Sequence, residues 1–153
     1  MNHWDFRMMH LARFWADLCS KDPTTKVGAV LVGVNKNNVA LGYNGFPPGV
    51  EDTPERLADR ETKHKLVQHA ERNAIDNAGF NPQGGTLYVT MFPCSECCKS
   101  AVSKGISRVV CTPSVGYAPW MDDAVWAKLI MREGGIQLED WFAWGHEKPA
   151  DEK

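Results

Sequence analysis

The chain has 153 residues, and its 43% apolar content is enough for one compact domain with a sizeable core. Its 17 Lys and Arg against 19 Asp and Glu give a formal charge of −2, so it lacks the basic excess that binding to long nucleic acid usually requires. No apolar run approaches the ~18 residues of a membrane span, and residues 1–5 lack the charged-then-apolar order of a signal peptide. These features predict a soluble, cytoplasmic protein whose partners are neither a membrane nor a long nucleic acid.

The five cysteines indicate thiol chemistry rather than a disulfide framework. Their number is odd, and Cys94, Cys97 and Cys98 lie close together. This pattern is typical of a reducing compartment in which thiols bind metal or act in catalysis. We expect the two remaining cysteines, Cys19 and Cys111, to be small buried apolar residues.

The first half of the chain predicts a helix, a hairpin and a long connection. Residues 5–18 carry apolar side chains at helical spacing, with Asp5 as the expected N-cap. The apolar runs 27–32 and 39–43 flank a polar turn and predict a β-hairpin. Residues 44–66 are rich in Gly, Pro and charge, with one helical piece in the second half of the segment. Connections of this length in a small domain are usually functional.

The second half of the chain alternates strands with helices. The predicted helices are 69–78, 93–104 and 123–132, and the predicted strands are 86–91, 108–112 and 136–138. Such alternation predicts an α/β layered sheet. Residues 141–144 form an apolar patch that we expect to dock on the core or on a neighbouring subunit. We expect one domain over residues 1–146 and a flexible tail over 147–153.

Two short segments carry the candidate chemistry, each where a helix begins. Cys94 and Cys97 are three residues apart, so on a helix both sulfurs face one way and can bind a single ion. The helix N-terminus lowers the pKa of a thiol there, and the thiolate is the form that binds metal. His69 adds an imidazole, and three such ligands suit a catalytic Zn²⁺ site, because structural sites use four. Cys98 lies on the same helix face, so spacing alone does not choose between Cys97 and Cys98.

Glu71 is the candidate proton carrier. It lies two residues after His69, within reach of a water at the open position of the metal. Zinc lowers the pKa of a bound water from about 15.7 toward about 7, and a nearby carboxylate can take that proton and deliver it to a substrate. A lone His-x-Glu or a lone Cys-x-x-Cys is common by chance, but the two together, with Pro93 before the first cysteine, predict an enzyme.

The combination of His-x-Glu with Pro-Cys-x-x-Cys is the signature of zinc nucleobase deaminases. On these motifs the chain resembles the cytidine deaminase superfamily and, within it, the deoxycytidylate (dCMP) deaminases. The segments that carry the resemblance, spread over about residues 20–136, are 20–23, 27–30, 42–47, 69–75 and 93–97. The resemblance implies a three-layer α/β/α cytidine deaminase-like fold with a central mixed sheet. It also implies Cys97, rather than Cys98, as the third ligand.

The activity that this resemblance implies is hydrolysis of dCMP to dUMP and ammonia, which supplies dUMP for thymidylate synthesis with one catalytic Zn²⁺ per chain. Glu71 would protonate the ring nitrogen and then the departing ammonia, and the backbone at Ala70 would hold the ring carbonyl. Asn44 matches the superfamily asparagine that contacts the sugar. From the sequence alone, Asn44 before Gly45 is nearly as typical of a turn.

Phosphate recognition is open at the level of the sequence. Lys26, Lys63 and Lys65 are the nearby cationic residues, with Lys26 taken as the substrate-binding one. Tyr117 follows the strand that ends near Thr112, where family members often have an aromatic residue close to the base and phosphate. The neighbouring 119–120 pair is more apolar than expected there, which leaves substrate choice open.

The resemblance also implies regulation and assembly. Family members suggest dCTP and dTTP as effectors, with Mg²⁺ accompanying the triphosphate, and a homohexamer as the assembly. The segment associated with the effector site is Gly42, Tyr43, Asn44 and Gly45. No cysteine lies between Asn44 and Gln68, so we expect only the catalytic ion.

Three other functions fit parts of the same pattern. A deaminase acting on dCTP or on a 5-modified dCMP would share the zinc chemistry. A tRNA adenosine deaminase shares the zinc residues, but the slightly acidic composition and the long insert before His69 argue against it. A catalytically inactive, nucleotide-sensing zinc protein would gain little from Glu71.

Overall fold

The structure, a computed structural model, describes residues 2–114 and 118–142, with the backbone alone at 118–120. Its helices are α1 (His3–Cys19), α2 (Pro54–Ala58), α3 (Arg60–Leu66), α4 (Ala70–Asp76), α5 (Ser95–Ser103) and α6 (Ala118–Glu133). Its strands are β1 (Gly28–Val32), β2 (Val39–Tyr43), β3 (Thr86–Val89), β4 (Arg108–Cys111) and β5 (Gln137–Asp140). The sequence predicted every strand, and the largest error at an end is the start of α6, which begins at Ala118 rather than at Asp123.

The strands of the described chain form one mixed sheet, in the order β2-β1-β3-β4-β5. β1 pairs antiparallel with both β2 and β3, whereas β3, β4 and β5 run parallel. Parallel neighbours need a crossover connection, and α5 and α6 provide the two that are required here. The segment between β3 and α5 therefore leaves the sheet at the carboxyl edge of its parallel strands, where ligand sites in such sheets usually lie.

Successive side chains along each strand pack on opposite faces of the sheet. Val30 and Tyr88 belong to the core cluster that contains α1 residues. Leu31 and Leu87 belong to the second cluster, with residues of α4, α5 and α6. One helix therefore covers one face and three helices cover the other. This arrangement confirms the predicted three-layer α/β/α fold with a central mixed sheet.

The start of α1 differs from the prediction. Asn2, rather than Asp5, is the N-cap, and its side chain accepts hydrogen bonds from the backbone amides of Trp4 and Asp5. Asp5 lies inside the first turn, and its Oδ2 accepts from the backbone N–H of Asn2 at 2.9 Å. The pair forms a reciprocal capping box, so the carboxylate stabilises the helix start from the third helical position.

The long connection at 44–66 contains two short helices, α2 and α3, rather than one helical piece. Each begins after a polar residue whose side chain caps it, Thr53 for α2 and Asp59 for α3. The base of the connection is closed by two backbone hydrogen bonds between Gly45 and Gln68, of 3.1 and 2.8 Å. The connection therefore returns the chain to the sheet at the residue before His69.

The described chain ends in the core. Trp141 is 2% exposed and packs with α1, so the prediction that its segment docks on the core is confirmed for this residue. Residues 143–153 lie outside the described residues, and the 1–146 domain with a tail at 147–153 stays a prediction. Within the described ranges, no helix combines the length and the apolar character that crossing a bilayer requires.

Candidate active site

Three side chains converge at the N-terminal ends of α4 and α5. His69 directly precedes α4, Cys94 directly precedes α5, and Cys97 lies in the first turn of α5. The Nδ1 atom of His69 lies 3.4 Å from Sγ of Cys94 and 3.5 Å from Sγ of Cys97. The three ligand atoms all lie within 4.8 Å of one another. The fold therefore brings together the three residues that the motifs and the family resemblance predicted as ligands.

This cluster fits a zinc ion. Tetrahedral coordination with Zn–N of ~2.1 Å and Zn–S of ~2.3 Å would place the nitrogen about 3.6 Å from each sulfur. The observed separations are 3.4 and 3.5 Å. One imidazole and two thiolates have the softness that zinc prefers, and three protein ligands leave a fourth position for a water, as in catalytic zinc sites.

Cys98 is not part of the cluster. The residue is 1% exposed, and its thiol donates to the backbone carbonyl oxygen of Pro93 at 3.9 Å. Burial raises the pKa of Cys98 to about 12, so it is a poor source of thiolate. Among the described residues, the metal-ligand group contains Cys97 and not Cys98. The geometry thus favours Cys97, where helical spacing left the choice open.

Hydrogen bonds inside the cluster distribute its charge. The Cys97 thiol and His69 both hydrogen-bond to Cys94. These bonds outweigh the effect of burial and hold the pKa of Cys94 well below its usual range. The same contact raises the pKa of Cys97, and the hydrogen bond with Cys94 raises the pKa of His69 to about 8. Because zinc binds thiolates and neutral imidazole, loading the site must release protons from Cys97 and His69.

Glu71 lies in the first turn of α4, beside the cluster. It is 4% exposed, and burial raises the pKa of its carboxyl group to about 7. A group with a pKa near the working pH can both take and return a proton, which is the requirement for general acid and base catalysis. Glu71 also lines the cavity that opens onto the cluster. Its position therefore suits proton transfer to a molecule bound in that cavity.

The cavity has a volume of about 320 Å³, which suits a small molecule. Met91 and Phe92 provide an apolar part of its wall, and the polar part comes from the connection before α4 and from the segment between α1 and β1. A second cavity of about 380 Å³ shares Met91, Phe92 and Cys94 with the first. The two cavities therefore adjoin at the first cysteine of the cluster.

Asn44 lies in the cavity wall with its amide group fully engaged. Its Oδ1 accepts from the hydroxyl of Ser20 and from the backbone N–H of Val27, both at 2.8 Å. Its Nδ2 donates to the carbonyl of Thr25 at 2.9 Å and to Asp22 at 3.4 Å. These bonds use both acceptor and both donor positions of the amide. Asn44 thus holds the segment between α1 and β1 in place, and a sugar hydroxyl would have to replace one of these partners.

Ala70 lies at the base of the cavity as the first residue of α4. Its backbone N–H is one of those at a helix start that have no acceptor within the helix. A Cβ added at Gly42 would lie 2.2 Å from the carbonyl oxygen of Ala70 and 2.4 Å from the nitrogen of Ala74. Gly42, predicted as an effector residue, therefore lets α4 pack directly on β2.

The other predicted effector residues border a smaller cavity. Tyr43, Asn44 and Gly45 line a space of about 70 Å³ together with Lys21. Cys19 lies there too and is only half-buried, so the expectation of a fully buried side chain is wrong for this cysteine. The reason is that Cys19 ends α1 beside the cavity, whereas Cys111 lies in a central strand and is 0% exposed, as expected.

The three candidate lysines occupy different environments. Lys26 is exposed, and its Nζ donates to the carbonyl oxygen of Asp17 at 3.3 Å. Lys63 lines the cavity that opens onto the cluster, where its Nζ lies 3.1 Å from Oδ2 of Asp22, with only 12% and 6% of the two side chains exposed. Lys65 is exposed and pairs with a glutamate on its own helix. Of the three, Lys63 is the one in the cavity wall.

Several residues near the site were not recognised from the sequence. His64, expected to have a structural or surface role, lines the cavity that opens onto the cluster, as does Asp22. Asp123 lies by the second cavity and accepts two hydrogen bonds from Ser95. Two of the cavity residues have a signal in the sequence: Asp22 lies in segment 20–23, which carries the family resemblance, and Met91 is close to the Pro-Cys motif. The positions of His64 and Asp123 depend on contacts between distant segments.

The predicted role of Tyr117 in the pocket concerns a residue that the structure does not describe. Tyr117 lies outside the described residues, and the side chains of 119–120 are not described either. The aromatic contribution of this loop to the pocket therefore stays a prediction.

The family "Cytidine and deoxycytidylate deaminase zinc-binding region" matches residues 2–112, a span that includes the whole cluster and Glu71. The chain belongs to this family. Related members of this deaminase family include the human deoxycytidylate deaminase, which is 37% identical over 129 residues, covering 80% of this chain and 71% of that protein. A probable deoxycytidylate deaminase of Drosophila melanogaster is 40% identical over 119 residues, covering 71% of this chain and 58% of the fly protein.

A solved structure supports the deaminase fold. The dCMP deaminase of cyanophage S-TIM5, in complex with dCMP and dUMP, superposes with a TM-score of 0.70 at 22% identity. The superposition covers 92% of this chain and 99% of the phage chain. At this identity the likeness concerns the fold, including the three layers described above.

Proposed function

We propose that this deaminase-family chain hydrolyses dCMP to dUMP and ammonia and so supplies dUMP for thymidylate synthesis. The observation that carries the proposal is the cluster of His69, Cys94 and Cys97 beside buried Glu71, at the end of a cavity of nucleotide size. The substrate follows from the human and fly relatives, which are named as deoxycytidylate deaminases.

His69, Cys94 and Cys97 would hold the zinc ion. When bound, zinc would supply a water of lowered pKa as the nucleophile that attacks C4 of the cytosine ring. Glu71 then accepts a proton from the attacking water and delivers it to N3 of the ring. It next carries the proton of the new C4 hydroxyl to the exocyclic amine. The bond from C4 to that nitrogen breaks, ammonia leaves, and the ring keeps a C4 carbonyl and a protonated N3.

The cavity wall provides the contacts that orient the substrate. The free N–H of Ala70 would donate to the ring carbonyl, while Met91 and Phe92 would pack against the base. Asn44 would exchange one of its internal hydrogen bonds for a sugar hydroxyl. Lys63 is the cation that lines the cavity and therefore a proposed phosphate contact.

Tyr117 remains a proposed substrate contact on the strength of the family resemblance, and Lys26 remains one as a nearby cation. Lys26 is exposed and hydrogen-bonded to a backbone carbonyl, so it would have to leave that partner to reach a phosphate. We expect Lys63→Ala to raise KM for dCMP more than Lys26→Ala does, which steady-state kinetics would measure.

The proposal extends to regulation, assembly and location. The family resemblance supports dCTP and dTTP as effectors, with Mg²⁺ accompanying the triphosphate. The cavity beside Tyr43 and Gly45, of about 70 Å³, would have to widen to hold a nucleotide. A homohexamer and a cytoplasmic location are proposed from the family resemblance and from the free thiols that the site requires. Analytical ultracentrifugation with and without dCTP, dTTP and Mg²⁺ would test the assembly and its response together.

The substrate is tested on the purified full chain with a panel of amino-pyrimidines and one RNA. The panel is deoxycytidine, dCMP, 5-hydroxymethyl-dCMP, dCTP and tRNA, with ammonia release and the change in ring absorbance as readouts. We expect the highest kcat/KM for dCMP. A higher kcat/KM for dCTP or for the modified dCMP would replace dCMP as the proposed substrate. Activity on tRNA adenosine would indicate a tRNA adenosine deaminase instead. No turnover of any of these substrates would contradict the proposed enzymatic activity.

Metal content provides a separate test. We expect about one zinc per chain by elemental analysis, and loss of both zinc and turnover in Cys97→Ser. Cys98→Ala is the matched control, since its thiol lies next in the chain and binds the Pro93 carbonyl. Equal zinc content in the two variants would contradict the ligand set.

A further inference from the structure

Helix α5 begins without a side-chain cap of its own. Its N-cap residue is Cys94, which makes no capping hydrogen bond, because its sulfur faces the cluster. The first amides of a helix have no acceptor within the helix and are usually satisfied by a Ser, Thr, Asp or Asn at the N-cap. Sulfur is only a weak hydrogen-bond acceptor, so Cys94 replaces the usual oxygen of an N-cap side chain poorly. The start of α5 therefore needs an acceptor from another part of the chain.

Asp123 of α6 provides that acceptor. Its Oδ2 accepts from the backbone N–H of Ser95 at 2.8 Å, and its Oδ1 accepts from the Ser95 hydroxyl at 2.6 Å. Ser95 directly follows Cys94 and is the first residue of α5. Both carboxylate oxygens are thus committed to one residue, which fixes the position of that residue in two directions. The negative charge also lies at the positive end of the helix dipole.

The same contact joins α5 to α6, the two helices that connect the parallel strands β3, β4 and β5. Ala127 and Met131 of α6 belong to the core cluster that contains Cys98 and Ala101 of α5. Asp123 lies one turn before Ala127 on α6, and its hydrogen bonds reach Ser95, the residue after Cys94. A shift of the α5 first turn therefore requires the two-fold hydrogen bond of Asp123 to break.

We propose that Asp123 is a positioning residue of the zinc site, which acts through Ser95 to hold Cys94 and Cys97 in ligating geometry. The inference rests on the proposed zinc-dependent function. Asp123 takes the capping role that Cys94 gives up, and it does so from outside the helix. Partners of this kind, one step removed from the metal, usually change metal affinity by about 10–100-fold when they are replaced.

A purely structural role for Asp123 makes a different prediction. If the contact only joined α5 to α6, its loss would lower the melting temperature equally with and without metal, and metal affinity would not change. If the contact positions the thiolates, its loss weakens metal binding, so the rise in melting temperature on adding zinc becomes smaller.

The experiment compares four variants of the full chain: Asp123→Ala, Asp123→Asn, Ser95→Ala and Asp122→Asn. Zinc affinity is measured by competition with a chelating indicator, and the Co²⁺-substituted proteins are compared by their thiolate-to-metal absorption bands. We expect Asp123→Ala to raise the Kd for zinc by about 10–100-fold and to change the Co²⁺ spectrum. Asp122→Asn is the matched control, because it removes the same charge from an exposed neighbour on the same helix.

The conservative variants separate geometry from charge. Asp123→Asn keeps an oxygen that accepts from the Ser95 N–H, so we expect a smaller loss of affinity than in Asp123→Ala. Ser95→Ala keeps the N–H bond and loses the hydroxyl bond, so its loss should also be partial. Both can be measured even where Asp123→Ala fails to fold.

Zinc affinities and Co²⁺ spectra of all three site variants equal to those of the control would overturn the role of Asp123. A wild-type chain that binds neither zinc nor Co²⁺ at one ion per chain would instead overturn the proposed function, and this inference with it. The two failures are distinguishable because the first requires a wild-type protein that holds its metal.

Discussion

Two acidic side chains, Asp5 and Glu71, are buried on opposite faces of one sheet, yet their surroundings differ. Asp5 lies in the first turn of α1 with 0% of its surface exposed, and its carboxylate accepts from two nitrogens of Arg108, at 2.7 and 2.8 Å, and from the hydroxyl of Tyr88 at 2.9 Å. Glu71 is 4% exposed, and within the described ranges no lysine or arginine forms an ion pair with it.

The difference appears in the acidity of the two groups. Burial raises the pKa of a carboxyl group because it disfavours the charged form. At Glu71 burial dominates and raises the pKa to about 7. At Asp5 burial acts in the same direction, but hydrogen bonds from Arg108, from the backbone of Asn2 and from Tyr88 outweigh it and lower the pKa to about 2. A buried acid that is hydrogen-bonded to an arginine stays ionised and supports the fold, whereas one without a lysine or arginine partner can exchange its proton near neutral pH.

The sharpest test of this contrast is Glu71→Gln. We expect kcat for dCMP to fall by about 10²–10⁴-fold, because the amide cannot carry a proton. Zinc content and the free energy of unfolding should not fall. Asp5→Asn makes the same chemical change on the other face and should lose stability while the folded protein keeps its kcat. Turnover in Glu71→Gln above a tenth of the wild-type value would remove Glu71 from the proton path.

Arg108→Ala tests the opposite side of the comparison. It leaves Asp5 buried without its cation, so we expect the free energy of unfolding in urea to fall by about 3 kcal/mol. Arg72→Ala is the matched control, because Arg72 forms an exposed pair with Asp76 one turn along α4 and should cost less than about 0.5 kcal/mol. Equal effects of the two substitutions would show that the buried pair contributes nothing particular.

The fall in the free energy of unfolding at low pH should depend on the ionisation of Asp5. Its pKa is lowered in the folded protein, from 3.8 to about 2. The stabilisation it contributes is therefore fully present above about pH 4 and is lost as the pH falls toward 2. Urea unfolding at a series of pH values should show a weaker dependence in Asp5→Asn over this window. An unchanged slope would mean that Asp5 does not differ in acidity between the folded and unfolded states.

Tyr88→Phe should have the smallest effect. It removes one hydrogen bond to Asp5 and leaves both bonds from Arg108, so we expect a loss of about 1 kcal/mol in stability. The activity of the folded protein should not change, because Tyr88 lies on the α1 face. A loss of turnover without a loss of stability would mean that the two faces are coupled.

The candidate metal ligands could be predicted in part from local geometry. Residues three apart on a helix face the same way, and a helix start favours the thiolate, so the spacing makes Cys94 and Cys97 a candidate pair. The same rule allows a spacing of four, which is why Cys98 could not be excluded. Its exclusion depends on a contact with the carbonyl oxygen of Pro93 and on the packing of α5.

The supporting contacts could not be predicted in this way, because each joins segments that are distant in the chain. Lys63 and Asp22 are 41 residues apart, and Arg108 and Asp5 are 103 apart. Asn44 shows the same limit, because the sequence favoured a turn and a sugar contact about equally, while the fold gives its amide four partners within the protein. The order of layers and strands decides which of these side chains meet.

The close approach of α4 to β2 at Gly42 has a consequence for how this scaffold tolerates change. A methyl group at that position would lie 2.2 Å from the carbonyl oxygen of Ala70, between His69 and Glu71. The distance between β2 and the turn that carries His69 and Glu71 is therefore possible only because Gly42 has no Cβ. A redesign that stiffened this strand with alanine or valine would displace the reactive turn without altering any group that meets the substrate.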